Sequence, residues 1–362
     1  MMKVASVVGA RPNFVKLAPV SRELRRRFDE VIIHTGQHYN YEMDRVFFDD
    51  MGIPSPNYHL GVGSAGHGHQ TGEMLSKLEE ILLDEKPDAV LVFGDTNTTL
   101  AGALAAAKLH IPVVHLEAGL RSFNRRMPEE INRVLVDHCS DLLLCPTDTA
   151  VKNLAREGII RGVVLTGDVM VDAQRECSII AGKRSQIMSD LGLEPRRYKL
   201  ATIHRAENTD DAERLAGIVK ALEEMGDVVF PCHPRAEKYI KNLGLWDDLC
   251  RRVRVIKPVG YLDMIMLEKN AAKILTDSGG VQKEAYLLGV ACITLRDETE
   301  WVETVQDGWN VLAGADPEEI LRLAKSFEPG TEKRDVFGSG DASLRTAEAI
   351  AEMLGWQSRG GS

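Results

Sequence analysis

The feature of this sequence that most constrains its fold is the alternation of short apolar runs with longer amphipathic stretches. Apolar runs of strand length recur through the chain, beginning with residues 4–8, and most are followed by a stretch with helical spacing of its apolar residues. Apolar strands separated by helices are typical of parallel sheets that are covered on both faces. The pattern therefore predicts an α/β protein.

The predicted strands fall into two groups along the chain. The strands of the first half are residues 4–8, 31–35, 89–93, 113–116, 142–145 and 163–165. The strands of the second half are residues 200–203, 228–231, 253–256, 273–276 and 291–295. Because 362 residues exceed what a single core usually organises, we predict two doubly wound domains. They are residues 1–167 and 168–341, and a final helix, residues 342–357, is expected to pack across their junction.

Several classes of protein are excluded by composition. No apolar run approaches the roughly 20 residues of a membrane helix, and the chain begins with a strand rather than a signal peptide, so we expect no membrane partner and a cytoplasmic location. The net charge of -10 argues against a nucleic-acid partner. The cysteines show no Cys-x-x-Cys spacing, and His67 and His69 have no third ligand at helical spacing, so we predict no metal site.

An anion-binding turn is predicted where the strand at residues 273–276 runs into the next helix. Ser278, Gly279 and Gly280 leave backbone N–H groups uncovered at a helix N-terminus, where the unpaired donors and the helix dipole favour a phosphate. Glu284 follows one helical turn later and is placed to accept hydrogen bonds from sugar hydroxyls. Taken alone, the same pattern also fits a capped turn that binds nothing.

Basic and imidazole side chains follow other predicted strands. Arg11 and Lys16 stand at the start of the first helix, in a loop that lacks the Gly-x-Gly-x-x-Gly spacing of nicotinamide cofactor sites. This pair suits a diphosphate, although an exposed surface pair would show the same pattern. His204 and His233 each follow a strand of the second half, and two histidines in equivalent places favour a functional role over a structural one.

Carboxylates follow two neighbouring strands of the first half. Asp95 and Glu117 come directly after apolar strands and would lie side by side, because parallel strands end at the same edge of a sheet. Unpaired carboxylates there are costly, so such residues are usually hydrogen-bonded, catalytic or both. Asp95 alternatively caps the following helix. Of the two glutamates after Pro128, we assign Glu129 to the site and Glu130 to the helix dipole.

The chain resembles the non-hydrolysing UDP-N-acetylglucosamine 2-epimerases over nearly its whole length. The motifs that carry the resemblance are Gly9-Ala10-Arg11-Pro12 with Lys16, Gly94-Asp95-Thr96, Glu117-Ala118-Gly119-Leu120-Arg121, Pro128-Glu129-Glu130-Ile131-Asn132-Arg133, His204-Arg205, and Asp277-Ser278-Gly279-Gly280 with Glu284. The resemblance implies a glycosyltransferase-B-like fold of two Rossmann-like domains with the active site in the inter-domain cleft. It also implies a homodimer that interconverts UDP-GlcNAc and UDP-ManNAc without a metal or a nicotinamide cofactor.

The resemblance also implies roles for individual side chains. The residues expected to hold UDP are Arg11, Lys16, His204, His233, Ser278, Gly279, Gly280 and Glu284. Asp95, Glu117 and Glu129 are expected to exchange protons at C2 of the sugar or to stabilise the cationic ring, and His204 is expected to assist departure of UDP. The sequence leaves open which carboxylate is the base and which is the acid.

The chain departs from the common family pattern at two places. It has Arg11-Pro12-Asn13 where relatives often have Arg-Pro-Glu, and Thr299-Glu300-Trp301 where they often have Thr-Glu-Arg. With His233-Pro234-Arg235, these features resemble relatives that epimerise UDP-2,3-diacetamido-2,3-dideoxyglucuronate. Arg126, Arg235 and Trp301 are therefore candidate contacts to the sugar or to a C6 carboxylate. A UDP-sugar-dependent glycosyltransferase and a non-catalytic nucleotide-sugar sensor are the alternatives outside this reaction class.

Overall fold

The computed structural model describes residues 1–36, 48, 51–330 and 333–357, and of residues 11, 12, 356 and 357 it describes the backbone alone. Within these ranges the chain divides into two compact units. The first unit is Met1–Arg175 together with Asp335–Ser362, and the second is Glu176–Arg334. Among the described residues no helix is both long and apolar enough to span a membrane.

The first unit contains a seven-stranded sheet in which the described strand pairs are all parallel. Its strands are β1 (Lys3–Val8), β2 (Asp29–His34), β3 (Tyr58–His59), β4 (Ala89–Phe93), β5 (Val113–Leu116), β6 (Leu142–Cys145) and β7 (Val163–Leu165). They lie in the order β3-β2-β1-β4-β5-β6-β7. The chain order reverses beside β1, as in other doubly wound sheets.

Helices connect these strands and cover the sheet. The described helices that begin within the first half are α1 (Arg11–Leu24), α2 (His67–Glu85), α3 (Asn97–Lys108), α4 (Pro128–Cys139), α5 (Asp148–Arg156) and α6 (Val169–Arg184). Strand β4 is buried at every residue, and Val90 and Val92 pack with Met74 and Leu78 of α2. Burying a side chain of this size contributes about 1.5–3 kcal/mol, so the continuous apolar strands predicted from the sequence stabilise this layer.

The second unit contains a six-stranded sheet whose described strand pairs are also parallel. Its strands are β8 (Lys199–Thr202), β9 (Val228–Pro231), β10 (Arg254–Ile256), β11 (Lys273–Thr276), β12 (Ala291–Thr294) and β13 (Asn310–Leu312), in the order β10-β9-β8-β11-β12-β13. The remaining described helices are α7 (Ile187–Asp190), α8 (Ala206–Thr209), α9 (Ala212–Met225), α10 (Pro234–Asn242), α11 (Trp246–Arg252), α12 (Tyr261–Asn270), α13 (Gly279–Leu288), α14 (Val302–Gln306), α15 (Pro317–Ser326) and α16 (Ala342–Gln357).

The final helix and the segment that leads into it belong to the first unit. The sequence places the first boundary after residue 167 and the second after residue 341, whereas the first unit continues to Arg175 and resumes at Asp335. The carboxylate of Asp172, in α6, explains this difference because it accepts hydrogen bonds from the backbone N–H groups of Ala342 at 3.3 Å and Ser343 at 3.0 Å. Helix α16 then packs against α1 of the same unit.

Candidate active site

The carboxyl ends of β4 and β5 bring Asp95 and Glu117 to neighbouring positions in the first unit. Phe93 of β4 is in register with Leu116 of β5, so Asp95 and Glu117 lie just beyond the last paired residues. Lys16 of α1 and Arg133 of α4 contact these two carboxylates. We call the four side chains the carboxylate edge.

Glu117 forms an ion pair with Lys16, and both side chains are buried. The neighbouring residue Gly94 has a φ of 67°, which favours glycine. A Cβ atom at Gly94 would lie 3.1 Å from Glu117 Oε2 and 3.2 Å from Lys16 Nζ. The absence of a side chain at Gly94 therefore leaves room for the ion pair.

The backbone of Glu117 adopts an uncommon conformation. Its φ is 75°, in the left-handed region that non-glycine residues rarely adopt. Such strain costs about 1–3 kcal/mol and persists only where the surrounding structure fixes it. Glu117 N donates to the Leu144 carbonyl oxygen at 3.1 Å, and so does Ala118 N at 3.1 Å. These bonds anchor the turn to β6 and direct the carboxylate toward Lys16.

Asp95 is paired with Arg133, whose guanidinium Nη2 donates to Asp95 Oδ2. Asn132 donates to the Asp95 backbone carbonyl oxygen at 2.8 Å. Asp95 does not cap α3, the alternative that the sequence leaves open, because the side chain of Thr96 accepts from Thr99 N in that position. Sequence reasoning did not assign Arg133 to the site, because its position in α4 gives no sign that it pairs with Asp95.

Glu129 and Glu130 both lie in the first turn of α4, where the helix dipole favours carboxylates. Glu129 is half-buried. The buried carboxylate of Glu130 accepts from the backbone N–H groups of Ser122 and Phe123, each at 2.9 Å, and pairs with Arg133 at 3.0 Å. Glu130 thus holds the loop before α4 as well as lying at the positive end of the helix dipole.

In the second unit, Ser278, Gly279 and Gly280 form the turn between β11 and α13. Ser278 is the N-cap of α13, and its Oγ accepts from Val281 N at 3.5 Å. A side chain at Gly279 would collide with the Glu300 carboxylate. Because the N–H groups of the first helical turn lack acceptors within the helix, this turn can bind an anion. We call Ser278, Gly279 and Gly280 the serine turn.

Asp277 organises the residues around the serine turn, and sequence reasoning missed it. Its fully buried carboxylate accepts from His204 N at 3.1 Å, Arg205 N at 3.0 Å and Asn208 Nδ2 at 3.2 Å. The His204 ring also lies near this carboxylate, with Nδ1 3.5 Å from Asp277 Oδ1. The buried aspartate therefore fixes the loop after β8 against the end of β11.

The two histidines lie together after their strands, with ring centroids 5.9 Å apart. Burial lowers the pKa of His204, and the Asp277 carboxylate only partly opposes this effect. Burial, with the charges of His204 and Arg235, also lowers the pKa of His233. Both imidazoles are therefore biased toward the neutral form, and a bound anion would favour their protonation.

Glu284 lies one turn into α13, and its carboxylate is buried. Tyr261 at the start of α12 donates its hydroxyl hydrogen to Glu284 Oε1 at 2.9 Å. Burial raises the pKa of Tyr261 well above its ordinary value, and the Glu284 charge adds to the effect. The phenol therefore remains a hydrogen-bond donor to this carboxylate.

The candidate sugar contacts lie in different environments. Arg235 is bonded to Asp210, at 2.5 Å and 2.7 Å from its two carboxylate oxygens. Trp301 is buried, and Lys283 Nζ lies 4.0 Å from the centroid of its ring. Arg126 is exposed. The side chain of Arg11, a predicted UDP contact, lies outside the described residues.

In the described part of the chain, no three His, Cys, Asp or Glu side chains are grouped to hold a metal ion. His67 and His69, at the start of α2, have other partners. His67 Nδ1 lies 3.1 Å from Asn97 Nδ2, and His69 Nε2 lies 3.5 Å from Glu73 Oε2. The two rings are thus engaged by separate side chains.

The fold and these polar strand ends define an α/β enzyme of two Rossmann-like units. The family model for UDP-N-acetylglucosamine 2-epimerase matches residues 22–351. The chain therefore belongs to the UDP-N-acetylglucosamine 2-epimerase family and is an isomerase. The predicted α/β fold and its likeness to glycosyltransferase-B proteins are confirmed.

Curated relatives and solved structures match the chain over nearly its whole length. It is 55% identical to a UDP-N-acetylglucosamine 2-epimerase homolog of Methanococcus maripaludis, over 97% of this chain and 100% of that one. It is 48% identical to the UDP-2,3-diacetamido-2,3-dideoxy-D-glucuronate 2-epimerase of Pseudomonas aeruginosa, over 97% and 100%. The crystal structure of Methanocaldococcus jannaschii UDP-GlcNAc 2-epimerase in complex with UDP-GlcNAc and UDP superposes with a TM-score of 0.89 at 46% identity, over 98% and 100%.

Proposed function

We propose that the protein converts UDP-GlcNAc reversibly to UDP-ManNAc by inverting C2 of the sugar. The observation that carries this proposal is the carboxylate edge, where Asp95 and Glu117 are held beside Lys16 and Arg133. Support also comes from the M. jannaschii relative, which binds UDP-GlcNAc and UDP. Carboxylates can exchange a proton at C2, and the serine turn of the second unit suits the diphosphate.

The reaction proposed is elimination followed by addition. A base removes the C2 proton, the C1–O bond breaks with its electron pair leaving on UDP, and a C1=C2 double bond forms in a 2-acetamidoglucal. UDP then adds back to C1 while a proton is delivered to the opposite face of C2. Because the C2 proton is weakly acidic, its removal must be coupled to departure of a well-stabilised leaving group.

The proposed roles divide between the two units. Asp95, Glu117 and Glu129 exchange protons at C2 or stabilise the cationic ring, and Lys16 neutralises the diphosphate beside Glu117. In the second unit the serine turn binds phosphate oxygens, His204 and His233 donate to them, and Glu284 accepts from the ribose hydroxyls. The side chain of Arg11 is proposed as a further contact to the diphosphate.

The test is an NMR time course with UDP-GlcNAc in heavy water. Epimerisation through the glucal places deuterium at C2 of the product, because the proton that is removed exchanges with solvent. Full retention of the C2 proton would contradict the mechanism. Transfer of the sugar to an added acceptor, with no epimer formed, would instead identify a glycosyltransferase.

A second candidate substrate is UDP-2,3-diacetamido-2,3-dideoxyglucuronate, which the 48% identical P. aeruginosa relative epimerises by name. Its C6 carboxylate would be bound by Arg235, whose guanidinium would have to leave Asp210 or bind both carboxylates. The test compares kcat/KM for the two substrates in the wild type, in Arg235→Ala and in the control Arg251→Ala, which removes an exposed arginine. The uronate would be established as the substrate by two results. The wild type would prefer it by more than about tenfold in kcat/KM, roughly 1.4 kcal/mol, and Arg235→Ala but not Arg251→Ala would lose this preference.

We also propose a cytoplasmic homodimer. The family resemblance supports the dimer. The proposed substrate, a water-soluble nucleotide sugar, suits a cytoplasmic location. Sedimentation at several protein concentrations measures the assembly state directly. A single monomeric species across the range would contradict the dimer.

A further inference from the structure

A buried polar network lies beneath the carboxylate edge. His115 of β5 has Nδ1 2.7 Å from Asp137 Oδ1 and Nε2 2.8 Å from the Gly94 backbone carbonyl oxygen. The side chains of His115 and Asp137 are fully buried. A carbonyl oxygen and a carboxylate oxygen accept hydrogen bonds, so both ring nitrogens of His115 face acceptors.

Asp137 joins this imidazole to the guanidinium of Arg121. Its Oδ2 accepts from Arg121 Nη1 at 2.7 Å, and Arg121 donates two further bonds of 2.7 Å to Glu157. Burial acts to raise the pKa of Asp137, but the charges and hydrogen bonds of His115 and Arg121 outweigh it and hold the pKa below its ordinary value. Basic and acidic side chains therefore alternate along the network, and the buried charge of Asp137 is compensated.

The network bonds to the backbone on both sides of the carboxylate edge. Gly94, which precedes Asp95, donates its N–H to the Leu116 carbonyl oxygen at 3.0 Å and accepts from the His115 ring. Gly119, two residues after Glu117, donates its N–H to Asp137 Oδ2 at 3.1 Å. Glu117 and Gly119 both have positive φ, 75° and 79°. A turn of this kind needs tertiary bonds to keep its shape.

We propose that His115 and Asp137 are positioning residues that fix Asp95 and Glu117 relative to each other through the backbone of Gly94 and Gly119. The inference rests on the proposed catalytic role of Asp95 and Glu117, and the fully buried side chains of His115 and Asp137 act through the backbone. Replacement of a buried ionic network by apolar side chains is often neutral for stability. The directed bonds of this network therefore have their main effect on geometry.

Two variants disturb the network to different extents. Asp137→Asn keeps the shape of the side chain and one oxygen that can accept from Gly119 N and Arg121. Its amide NH₂ group replaces the oxygen that faces His115 Nδ1, so this acceptor is lost. His115→Phe keeps a ring and removes both donors. Because misplacement by about 1 Å can cost about 100-fold, we expect kcat to fall about tenfold in Asp137→Asn and about 100-fold in His115→Phe. KM and UDP affinity should change by less than about twofold, since binding by the second unit is untouched.

The matched control is His138→Gln. His138 follows Asp137 in α4 but is exposed, and its Nδ1 bonds the Val134 carbonyl oxygen of the same helix. The same atom lies 3.9 Å from Glu157 Oε2, and glutamine leaves both Arg121–Glu157 bonds in place. Its replacement should leave kcat unchanged. If His138→Gln lowered kcat as much as Asp137→Asn does, α4 would be sensitive to any substitution and the specific role of the network would be overturned.

Double variants that combine a network substitution with a carboxylate substitution distinguish a positioning role from a general contribution to folding. Once Glu117 is replaced in Glu117→Gln, adding Asp137→Asn should lower kcat by less than about threefold, because the group that Asp137 positions no longer reacts. His115→Phe should show the same coupling with Asp95→Asn. Independent, multiplicative losses in both pairs would overturn the proposal. Loss of UDP binding or of cooperative unfolding in both Asp137→Asn and His115→Phe would also overturn it, since the network would then support the unit as a whole.

The outcomes distinguish this inference from the proposed function. Normal turnover in both Glu117→Gln and Asp95→Asn would remove the proposed catalytic roles themselves. Impaired turnover in those variants together with wild-type kcat in Asp137→Asn and His115→Phe would remove only the positioning role.

Discussion

The carboxylate edge and the serine turn lie at equivalent places in two parallel sheets, yet charge is arranged in opposite ways. At the carboxylate edge, cationic side chains from helices contact carboxylates that follow the strands, as Lys16 does with Glu117. At the serine turn, the buried carboxylate of Asp277 bonds backbone N–H groups of the neighbouring loop. The edge of one sheet thus carries anionic side chains, and the edge of the other carries N–H groups and imidazoles.

This difference shows how one architecture supports two kinds of chemistry. A carboxylate beside a reacting carbon can accept a proton from it or deliver one to it. A helix N-terminus beside histidines with lowered pKa gains favourable interactions as an anion arrives. The comparison predicts that substitutions of Asp95 and Glu117 change turnover and that substitutions around the serine turn change UDP affinity.

The largest effect should come from removing a charge at the carboxylate edge. Glu117→Gln or Asp95→Asn should lower turnover by about 100-fold or more, the size expected for a general acid or base, while UDP affinity changes little. Steady-state kinetics and calorimetry measure the two quantities, and exposed Glu80→Gln is the control. Normal turnover in either variant would show that the replaced residue is not a general acid or base, and the contrast between the two sites would not hold at that position.

The next effect should come from the buried acceptor of the second unit. Asp277→Asn places an amide group against the N–H donors of His204 or Arg205, and an unsatisfied buried donor costs about 1–3 kcal/mol. We expect lower stability in urea and UDP affinity reduced by about tenfold, because the loop beside the serine turn loses its anchor. Exposed Asp248→Asn should change neither quantity. UDP affinity equal to that of the wild type would show that this anchor is unnecessary for binding.

A smaller effect should follow from the loss of one hydroxyl beside Glu284. Tyr261→Phe removes a hydrogen bond to this carboxylate, worth about 0.5–1.5 kcal/mol, and should weaken UDP binding accordingly. The preference for UDP over 2′-deoxy-UDP should fall at the same time, since Glu284 is proposed to bind the ribose. Tyr58→Phe, which removes a tyrosine–glutamate bond in the first unit, is the matched control. An unchanged preference for UDP over 2′-deoxy-UDP would show that Tyr261 does not contribute to recognition of the ribose.

The smallest effect concerns pH and the free energy of unfolding. Because burial lowers the pKa of His204 in the folded protein, the unfolded chain takes up this proton first as the pH falls through the ordinary value of about 6.5. The free energy of unfolding should therefore decrease on acidification from pH 7, and the decrease should be shallower in His204→Gln. Urea titrations at several pH values measure the slope. An identical slope in both proteins would show that His204 is not destabilised in its charged form.

The strands of both sheets were largely predictable because most of them contain a run of apolar residues that stands out from the flanking sequence. Residues 89–93 and 273–276, for example, are strands in the structure as predicted. The short strands β3 and β13 were not predicted, since Tyr58–His59 and Asn310–Leu312 contain too few consecutive apolar residues to stand out. The strand predicted at residues 253–256 begins one residue later, at Arg254, because Val253 is the C-cap of the preceding helix.

The partners of the site residues were much less predictable than their positions. A carboxylate after an apolar strand marks a sheet edge, so Asp95 and Glu117 could be placed from the sequence. Arg133 and Asp137 lie in α4, where charged residues ordinarily indicate a solvated face, yet both are buried. Their contacts depend on the packing of α4 against the sheet, which no local spacing encodes. The positive φ of Glu117 is equally a product of tertiary bonds.

The return of α16 to the first unit has a consequence for how the chain folds during synthesis. A ribosome completes Met1–Arg175 and then the whole second unit before Asp335–Ser362 emerges. Until then the face of α1 that α16 covers remains uncovered, and Asp172 lacks the backbone donors of Ala342 and Ser343. The nascent first unit therefore lacks these contacts for as long as the second unit takes to be made, and an incompletely packed unit of this kind is a substrate for chaperones.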